Sequence, residues 1–340
     1  MKILVTGGAG YVGSFMIKAL FERGDEITVL DNLKTGHKDS IDERAKFLPG
    51  DILDKNFLAK VLSDNEFEAV FHFAGLISME ESVKNPYIYF ENNTFGALNL
   101  VEAMARCGVK KLIFSSTAGV YGNPIKIPIP EDHPTNPTNP YGESKLAVEK
   151  ILSWYGKTFG LNFASLRYFN AAGASVDAKM GEDHVNETHI IPNAIKAALS
   201  NSEFVLYGND YNTDDGTCIR DYIHVIDLVN SHILALERLE KEGSLPTGRQ
   251  GFFYNVGTGK GYSNRQVIDE IKKISGVDFK VRIADRRSGD SEVLVADPTK
   301  IKKELRFEPK YSNLETIVKT AWEWHKKLKV KNKRSLRAKL

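Results

Sequence analysis

An α/β fold built on a doubly wound parallel sheet, joined by a smaller α/β domain from the C-terminal half, is what this sequence predicts. Three observations lead there. Short apolar runs alternate with helical patterns through the first half of the chain. Those runs are apolar throughout rather than alternating, as in a sheet covered on both faces. The first of them leads directly into a glycine-rich turn that opens a helical pattern.

Taken in order, Lys2–Val5, Ile27–Leu30, Lys46–Leu48, Ala69–Phe73, Lys111–Ser115 and Asn162–Leu166 read as six strands. Helices are expected over Ser14–Arg23, closed by Gly24, and over Tyr87–Arg106, closed by Gly108, because glycine takes the left-handed turn past a helix end without a Cβ penalty. Asn139-Pro140 marks a further helix start, an N-cap followed by a first-turn proline. Beyond Arg167 the rhythm breaks. Asn170–Asp214 and Asp278–Pro309 are loop-rich, Asp221–Leu239 has a helical pattern, and Phe252–Val256 reads as a strand that rejoins the sheet. The expected division is a nucleotide-binding domain over 1–169, rejoined by parts of about 221–257, an interleaved substrate domain over 170–325, and a basic tail over 326–340. Glu242–Gly251 reads as an exposed loop.

Composition excludes several classes. With 42% apolar and 26% charged residues in a 340-residue chain, the protein is expected to bury a sizeable core and has no disordered signature. The net charge is +2, but 326–340 holds eight Lys/Arg and no acid, leaving six net negative charges on the rest. That balance argues against a nucleic-acid-binding body and for a frayed, solvated end. Cys107 and Cys218 stand apart, and the eight histidines show no H-E-x-x-H spacing, so no metal is expected. No apolar run is long enough to span a membrane and no leader pattern opens the chain, which points to a cytoplasmic protein with reduced thiols.

Thr6-Gly7-Gly8-Ala9-Gly10-Tyr11-Val12-Gly13 matches G-x-x-G-x-x-G through Gly7, Gly10 and Gly13, and G-x-G-x-x-G through Gly8, Gly10 and Gly13. Between a strand and a helix, missing β-carbons let the backbone approach a pyrophosphate at the helix N-terminus, the Rossmann-type device. Asp31 ends the second strand. A carboxylate there accepts hydrogen bonds from ribose hydroxyls and repels a 2′-phosphate, so NAD is expected over NADP.

Tyr141-Gly142-Glu143-Ser144-Lys145 sets a phenol and an amine four residues apart, on one face of a helix. A fixed ammonium beside the phenol favours the phenolate and so makes a usable base. Thr117, in Ser115-Ser116-Thr117-Ala118-Gly119 at the end of the fifth strand, adds a hydroxyl where ligands of such sheets bind.

At this point the chain resembles the UDP-glucose (UDP-galactose) 4-epimerase family of the extended short-chain dehydrogenase/reductase superfamily. The markers are Thr6–Gly13, Asp31-Asn32-Leu33, Gly50-Asp51-Ile52, His72–Gly75, Phe114–Gly122, Tyr141–Lys145, Arg167–Asn170, Tyr207–Tyr211, Asp215–Val225 and Arg286–Asp290. The resemblance implies that Tyr141 removes the proton of the sugar 4-hydroxyl, that Lys145 holds the nicotinamide ribose, and that Thr117 relays the proton. It implies NAD contacts from Gly7, Gly10, Tyr11, Val12, Gly13, Asp31, Asn32, Asp51, Ile52, Phe73, Ala74, Gly75, Asn92 and Phe169. UDP-sugar contacts are implied for Asn170, His189, Val205, Tyr207, Arg220, Arg287, Asp290 and Leu294, with Phe204–Tyr207 edging the uracil and Arg220 and Arg287 on the diphosphate. It also implies a homodimer. Leu294 stands where a large Tyr confines the sugar in some members, so dual use of UDP-galactose and UDP-N-acetylgalactosamine is expected. Ile77 departs from members that place a Lys there.

Three other readings compete. Nucleotide-sugar 4,6-dehydratases carry a Thr-Asp-Glu run where this chain has Thr117-Ala118-Gly119, which lacks the acid pair for elimination. Epimerases of UDP-pentoses or UDP-uronates share the same set. A non-catalytic NAD-binding sensor would typically have lost the Tyr or the Lys, and both are present.

Overall fold

The structure is a computed structural model that describes residues 1–242, 251–287 and 290–337. Most of the loop expected at 242–251 lies outside the described residues. Its first half alternates β1 (Lys2–Thr6), α1 (Tyr11–Arg23), β2 (Glu26–Asp31), β3 (Lys46–Pro49), α2 (Lys55–Ser63), β4 (Ala69–His72), α3 (Met79–Lys84), α4 (Pro86–Tyr89), α5 (Gly96–Cys107), β5 (Lys111–Ser115), α6 (Pro140–Phe159) and β6 (Asn162–Tyr168). Phe90–Phe95 links α4 to α5 as a π-helical segment, so the helix expected over 87–106 forms with a local widening of its turn.

β10 (Phe252–Val256) adds the seventh strand, in the order β10-β6-β5-β4-β1-β2-β3, every pair parallel. The order reverses between β1 and β4, where an open sheet of this kind leaves a crevice at its C-terminal edge. Alternate side chains divide the core between two faces. Ile3 and Val5 pack with Phe15, Met16 and Leu20 of α1. Leu4 packs the other way, with Leu58 of α2, Leu100 of α5 and Val148 and Leu152 of α6. The helix ends follow the expected chemistry: Gly24, Gly108 and Gly160 take left-handed conformations past α1, α5 and α6.

The second layer comprises β7 (Asn170–Ala172), α7 (Ile190–Ser200), β8 (Phe204–Tyr207), β9 (Ile219–His224), α8 (Val225–Glu242), β11 (Gly261–Ser263), α9 (Asn264–Ser275), β12 (Val281–Ala284), β13 (Val293–Leu294), α10 (Thr299–Leu305) and α11 (Leu314–Arg337). β9 pairs with β7, β11 and β13, while β8 pairs with β12. The helix expected from Asp221 begins only at Val225. Asp221 to His224 are strand because Tyr222–His224 pair with β7 and because the Asp221 carboxylate is fully buried under four donors. It accepts the Thr258, Gly259 and Ala296 N–H groups and the Thr258 hydroxyl. The loop-rich 278–309 stretch likewise contains two strands and a helix. The tail expected to fray continues as α11 to Arg337. Among the described residues no helix is long and apolar enough to cross a membrane, and Cys107 and Cys218 are both free.

Candidate active site

The cradle at the switch point is made of backbone. Gly10 caps α1 without a side-chain hydrogen bond, so the first N–H groups of that helix, at Tyr11, Val12 and Gly13, have no intrahelical partner and favour an anion. Gly7, at φ 74°, presses β1 against β4: a Cβ there would lie 2.4 Å from the Ala74 nitrogen. One at Gly13 would lie 2.3 Å from the Gly7 carbonyl oxygen. Phe73 and Ala74 both donate backbone N–H groups to Thr6 O, at 2.9 and 3.1 Å, which sets Gly75 beside the same crevice.

Asp31 closes one side. Its carboxylate accepts Ala9 N–H at 3.0 Å and Leu33 N–H at 2.8 Å, so its position is fixed next to the glycine turn. Burial pushes the Asp51 carboxyl up, but hydrogen bonds from Leu53 N–H, Asn32 and Lys34 outweigh it and hold it below its ordinary value. Ile52 is buried against Gly96. A helix start with free donors, a turn with no room for side chains and an acid at the end of β2 fit a dinucleotide with an unmodified ribose.

The proton-transfer group stands on the first turns of α6. Asn139 Oδ1 accepts Gly142 N–H at 2.9 Å and Pro140 occupies the first position, which starts the helix just ahead of Tyr141. Tyr141 and Lys145 are both buried. Gly142 lets the Thr117 loop approach, since a Cβ there would lie 2.6 Å from Gly119 O. Thr117 Oγ1 accepts Gly119 N–H at 3.0 Å, and the Thr117 hydroxyl is also the one group that favours the Tyr141 phenolate.

Burial and the neighbouring Tyr168 raise the Tyr141 phenol well above its ordinary value, and only Thr117 opposes them. The Lys145 ammonium does not supply the phenolate by itself. Its Nζ donates to Ser115 O at 2.9 Å and faces the Phe114 ring at 5.1 Å, and burial pushes its own pKa down to about 8. A Cβ on Gly75 would lie 3.2 Å from this nitrogen, so the glycine keeps the approach to Lys145 open.

Two residues that organise the site, Asn93 and Glu149, were not singled out from sequence. Asn93, in the π-helical segment, accepts Leu76 N–H at 2.8 Å and donates to Ser144 Oγ at 3.1 Å, tying the loop after β4 to α6. Its neighbour Asn92 donates to Asn93 Oδ1 at 3.1 Å. Tyr168 and Ser115 share a hydrogen bond at 2.7 Å. Beneath them Glu149 of α6 takes Arg167 Nη2 at 2.7 Å, Ser116 Oγ at 2.7 Å and Ser165 Oγ at 2.8 Å, all buried. Arg167 continues to Tyr121 OH at 2.9 Å, and Tyr121 to Asn255 Oδ1 at 2.7 Å. That chain of bonds locks α6 to β5, β6 and β10. The Asn-Asn pair and the lone Glu within an apolar helix face were the available signals.

Across the crevice the structure draws much of the second set together. Arg220 Nη2 lies 3.8 Å from Asp290 Oδ1. The Arg287 guanidinium sits 4.1 Å above the Tyr207 ring on β8, with its Nε buried and unpartnered among the described residues. Val205 lies two residues before Tyr207 on the same strand. Asn170 donates to Asp221 O at 3.1 Å. Leu294 pairs in register with Arg220 and packs on the cluster that holds Ala118, Leu146 and Phe169. Ser291 Oγ donates to Gly122 O at 3.1 Å, which fastens this segment to the loop carrying Thr117. His189 is different: its Nδ1 contacts Glu182, and no contact joins it to Arg220 or Asp290. Ile77 is exposed.

A model of the NAD dependent epimerase/dehydratase family matches residues 3–257. The chain belongs to that family. UDP-glucose 4-epimerase of Lactobacillus helveticus is 47% identical over 96% of this chain and 97% of its own length. Among solved structures, UDP-glucose 4-epimerase from Bifidobacterium longum, in complex with NAD+ and UDP, superposes with a TM-score of 0.90 at 36% identity, covering 96% of this chain and 98% of that one. The UDP-Glc/GlcNAc 4-epimerase of Campylobacter jejuni gives 0.82 at 40% identity, with 96% and 99% covered. The seven-stranded parallel sheet agrees with this likeness, and the acid pair of a dehydratase is absent at Ala118-Gly119.

Proposed function

We propose that this protein is an NAD-dependent UDP-glucose 4-epimerase that interconverts UDP-galactose and UDP-glucose. One observation carries the reading: Tyr141, Lys145 and Thr117 meet at the C-terminal end of β5, on the edge of the sheet where the glycine cradle lies, and face a second layer that offers Arg220, Arg287 and Asp290. Relatives of nearly full coverage carry this activity in their names.

The Gly7–Gly13 turn, Asp31 and the Asp51 edge would hold NAD, which would supply a hydride acceptor and then a hydride donor for the sugar carbon. Tyr141 accepts the proton of the 4-hydroxyl and returns it after the keto sugar has presented its other face. Thr117 holds that hydroxyl and stabilises the phenolate. Lys145 would contact the nicotinamide ribose, and its ammonium, held on Ser115 O, places a positive charge on the buried side of the crevice. Arg220 and Arg287 offer planar forks to a diphosphate, and Asp290 offers an acceptor to ribose hydroxyls. The buried, unpartnered Nε of Arg287 supports an anionic ligand at that point.

A second substrate follows from Leu294. The branched aliphatic leaves more room beside Phe169 than a tyrosine would, which supports conversion of UDP-N-acetylgalactosamine alongside UDP-galactose. Purified protein given UDP-galactose without added NAD should form UDP-glucose. Protein that retains NAD yet forms no product would instead be a sensor, and turnover of UDP-pentoses or UDP-uronates alone would move the assignment to another 4-epimerase.

A further inference from the structure

Ahead of α7 a single stretch brings together Glu182, His184, Glu187 and His189, each offering one ligand atom, all within 4.8 Å of one another. Both imidazoles present Nδ1 to the carboxylates. His184 Nδ1 lies 3.2 Å from Glu182 Oε1 and 3.6 Å from Glu187 Oε2. His189 Nδ1 contacts Glu182 Oε1 and lies 4.0 Å from Glu187 Oε1. The two carboxylates are deeply buried, the Glu182 and Glu187 side chains being 5% and 4% exposed.

One atom stands out. Glu187 Oε2 is buried and accepts no hydrogen bond, although buried carboxylate oxygens are almost always satisfied. It points at the middle of the cluster, toward His184 Nδ1. A lone pair in that position is left for a ligand that the protein's own donors do not replace.

We propose that these four side chains form a site for one divalent transition-metal ion of the zinc class. Two imidazole nitrogens and two carboxylate oxygens are the donor set that borderline ions such as zinc take, whereas calcium and magnesium prefer oxygen alone. The carboxylates favour a proton on each imidazole, and a doubly charged cation would displace those two protons with no change in the charge of the cluster. Tetrahedral zinc, with bonds of about 2.0–2.2 Å, sets its donor atoms roughly 3.3 Å apart. The four ligand atoms, all within 4.8 Å of one another, lie near that spacing.

The surroundings hold the ligands in place, as outer partners of metal sites do. Trp324 Nε1 of α11 donates to Glu182 O at 2.9 Å, and His37 Nε2 meets Asp183 O at 2.8 Å. Asn193 Nδ2 of α7 donates to Glu187 O at 3.1 Å. The His189 side chain, 45% exposed, leaves a way in from solvent. With four protein ligands the site has no open position for chemistry, so its role is structural. The Tyr11 ring lies 6.5 Å from that of His184, and its hydroxyl donates to Gly173 O at 2.6 Å. The ion would thus fasten the segment after β7 against the start of α1, independently of the proton-transfer group.

The test is metal content, not turnover. Tag-free full-length protein from zinc-supplemented medium is dialysed and measured by plasma mass spectrometry. Metal-stripped protein is then titrated with zinc against a chromophoric chelator. We expect about one zinc per chain, and at least ~10-fold weaker binding in His184→Asn and in Glu187→Gln. Zinc should also raise the Tm of the unaltered protein and not of either variant. Failure of the unaltered protein to retain zinc, or to bind it more tightly than the variants do, overturns the proposal and leaves the cluster as an ion-paired knot. If the variants do not fold, the titration of the unaltered protein decides alone.

Discussion

The two sides of the Tyr141 crevice are built from different materials. The proposed cofactor side is largely backbone: a glycine-rich turn and three helix-start N–H groups, flanked by the Asp31 carboxylate at the end of β2. The proposed sugar-nucleotide side is side chain: Arg220, Arg287, Asp290 and Leu294, brought into place by the pairing of β9 with β13 and by Ser291 on Gly122. A backbone site fails when an atom is added, whereas a side-chain site can be retuned by exchanging one. Tyr141 stands between them and belongs to neither. Replacing it, Tyr141→Phe, should lower turnover by about 10²–10⁴-fold, as for loss of a general base, with NAD content and sugar-nucleotide affinity unchanged. Rapid-mixing turnover and bound-NAD absorbance would show this; full activity in the variant would remove the base from the scheme.

Both sides rest on the same floor. Glu149→Ala leaves the Arg167 guanidinium buried without its partner, and removing one member of a buried pair typically costs ~3–5 kcal/mol. Urea denaturation should report that loss. A change under ~1 kcal/mol would mean that the pair behaves like a surface contact and does not lock α6 to β5 and β6.

This difference also explains how much was legible. The glycine turn, Asp31, the Asn139-Pro140 start and Tyr141–Lys145 are local patterns in which neighbours in sequence are neighbours in space, and the parallel sheet follows from strands that are apolar on both faces. Asp221 misled because its helical periodicity continues into the real helix at Val225, while the bonds that make it strand come from Thr258, Gly259 and Ala296. Asn93 and Glu149 went unread for the same reason, since their partners lie 51 and 18 residues away.

A pair of substitutions would break the comparison if it is wrong. Arg220→Ala should raise the KM for UDP-galactose by about 10–100-fold, the worth of a charge-assisted hydrogen bond, and leave NAD content intact. Gly13→Ala should do the reverse, because its Cβ meets the Gly7 carbonyl, giving protein depleted of NAD. Loss of NAD from the arginine variant, or its retention by the alanine variant, would show that the two sides are not separate.

Lys145 sharpens the point, because its burial serves function at the expense of stability. Its folded pKa of about 8 lies below the ordinary 10.5, so burying the charge destabilises the fold fully below pH 8, and the penalty fades as pH rises to 10.5. Lys145→Met should therefore abolish turnover yet stabilise NAD-stripped protein by ~1–3 kcal/mol at pH 7. The gain should shrink in denaturation curves taken between pH 8 and 10.5. A destabilised variant would mean that the bond to Ser115 O outweighs the desolvation.

Leu294 gives the smallest and most specific effect. It touches no reacting group; it limits the space beside Phe169 on the side-chain side of the crevice. Leu294→Tyr should leave UDP-galactose conversion nearly intact and reduce kcat/KM for UDP-N-acetylgalactosamine by roughly 10–200-fold, the range that shape alone provides in an apolar pocket. Parallel turnover assays of the two sugars measure the ratio. An unchanged ratio would place the N-acetyl group elsewhere, and loss of both activities would mean that the tyrosine disturbs the Thr117 loop that Leu294 packs beside.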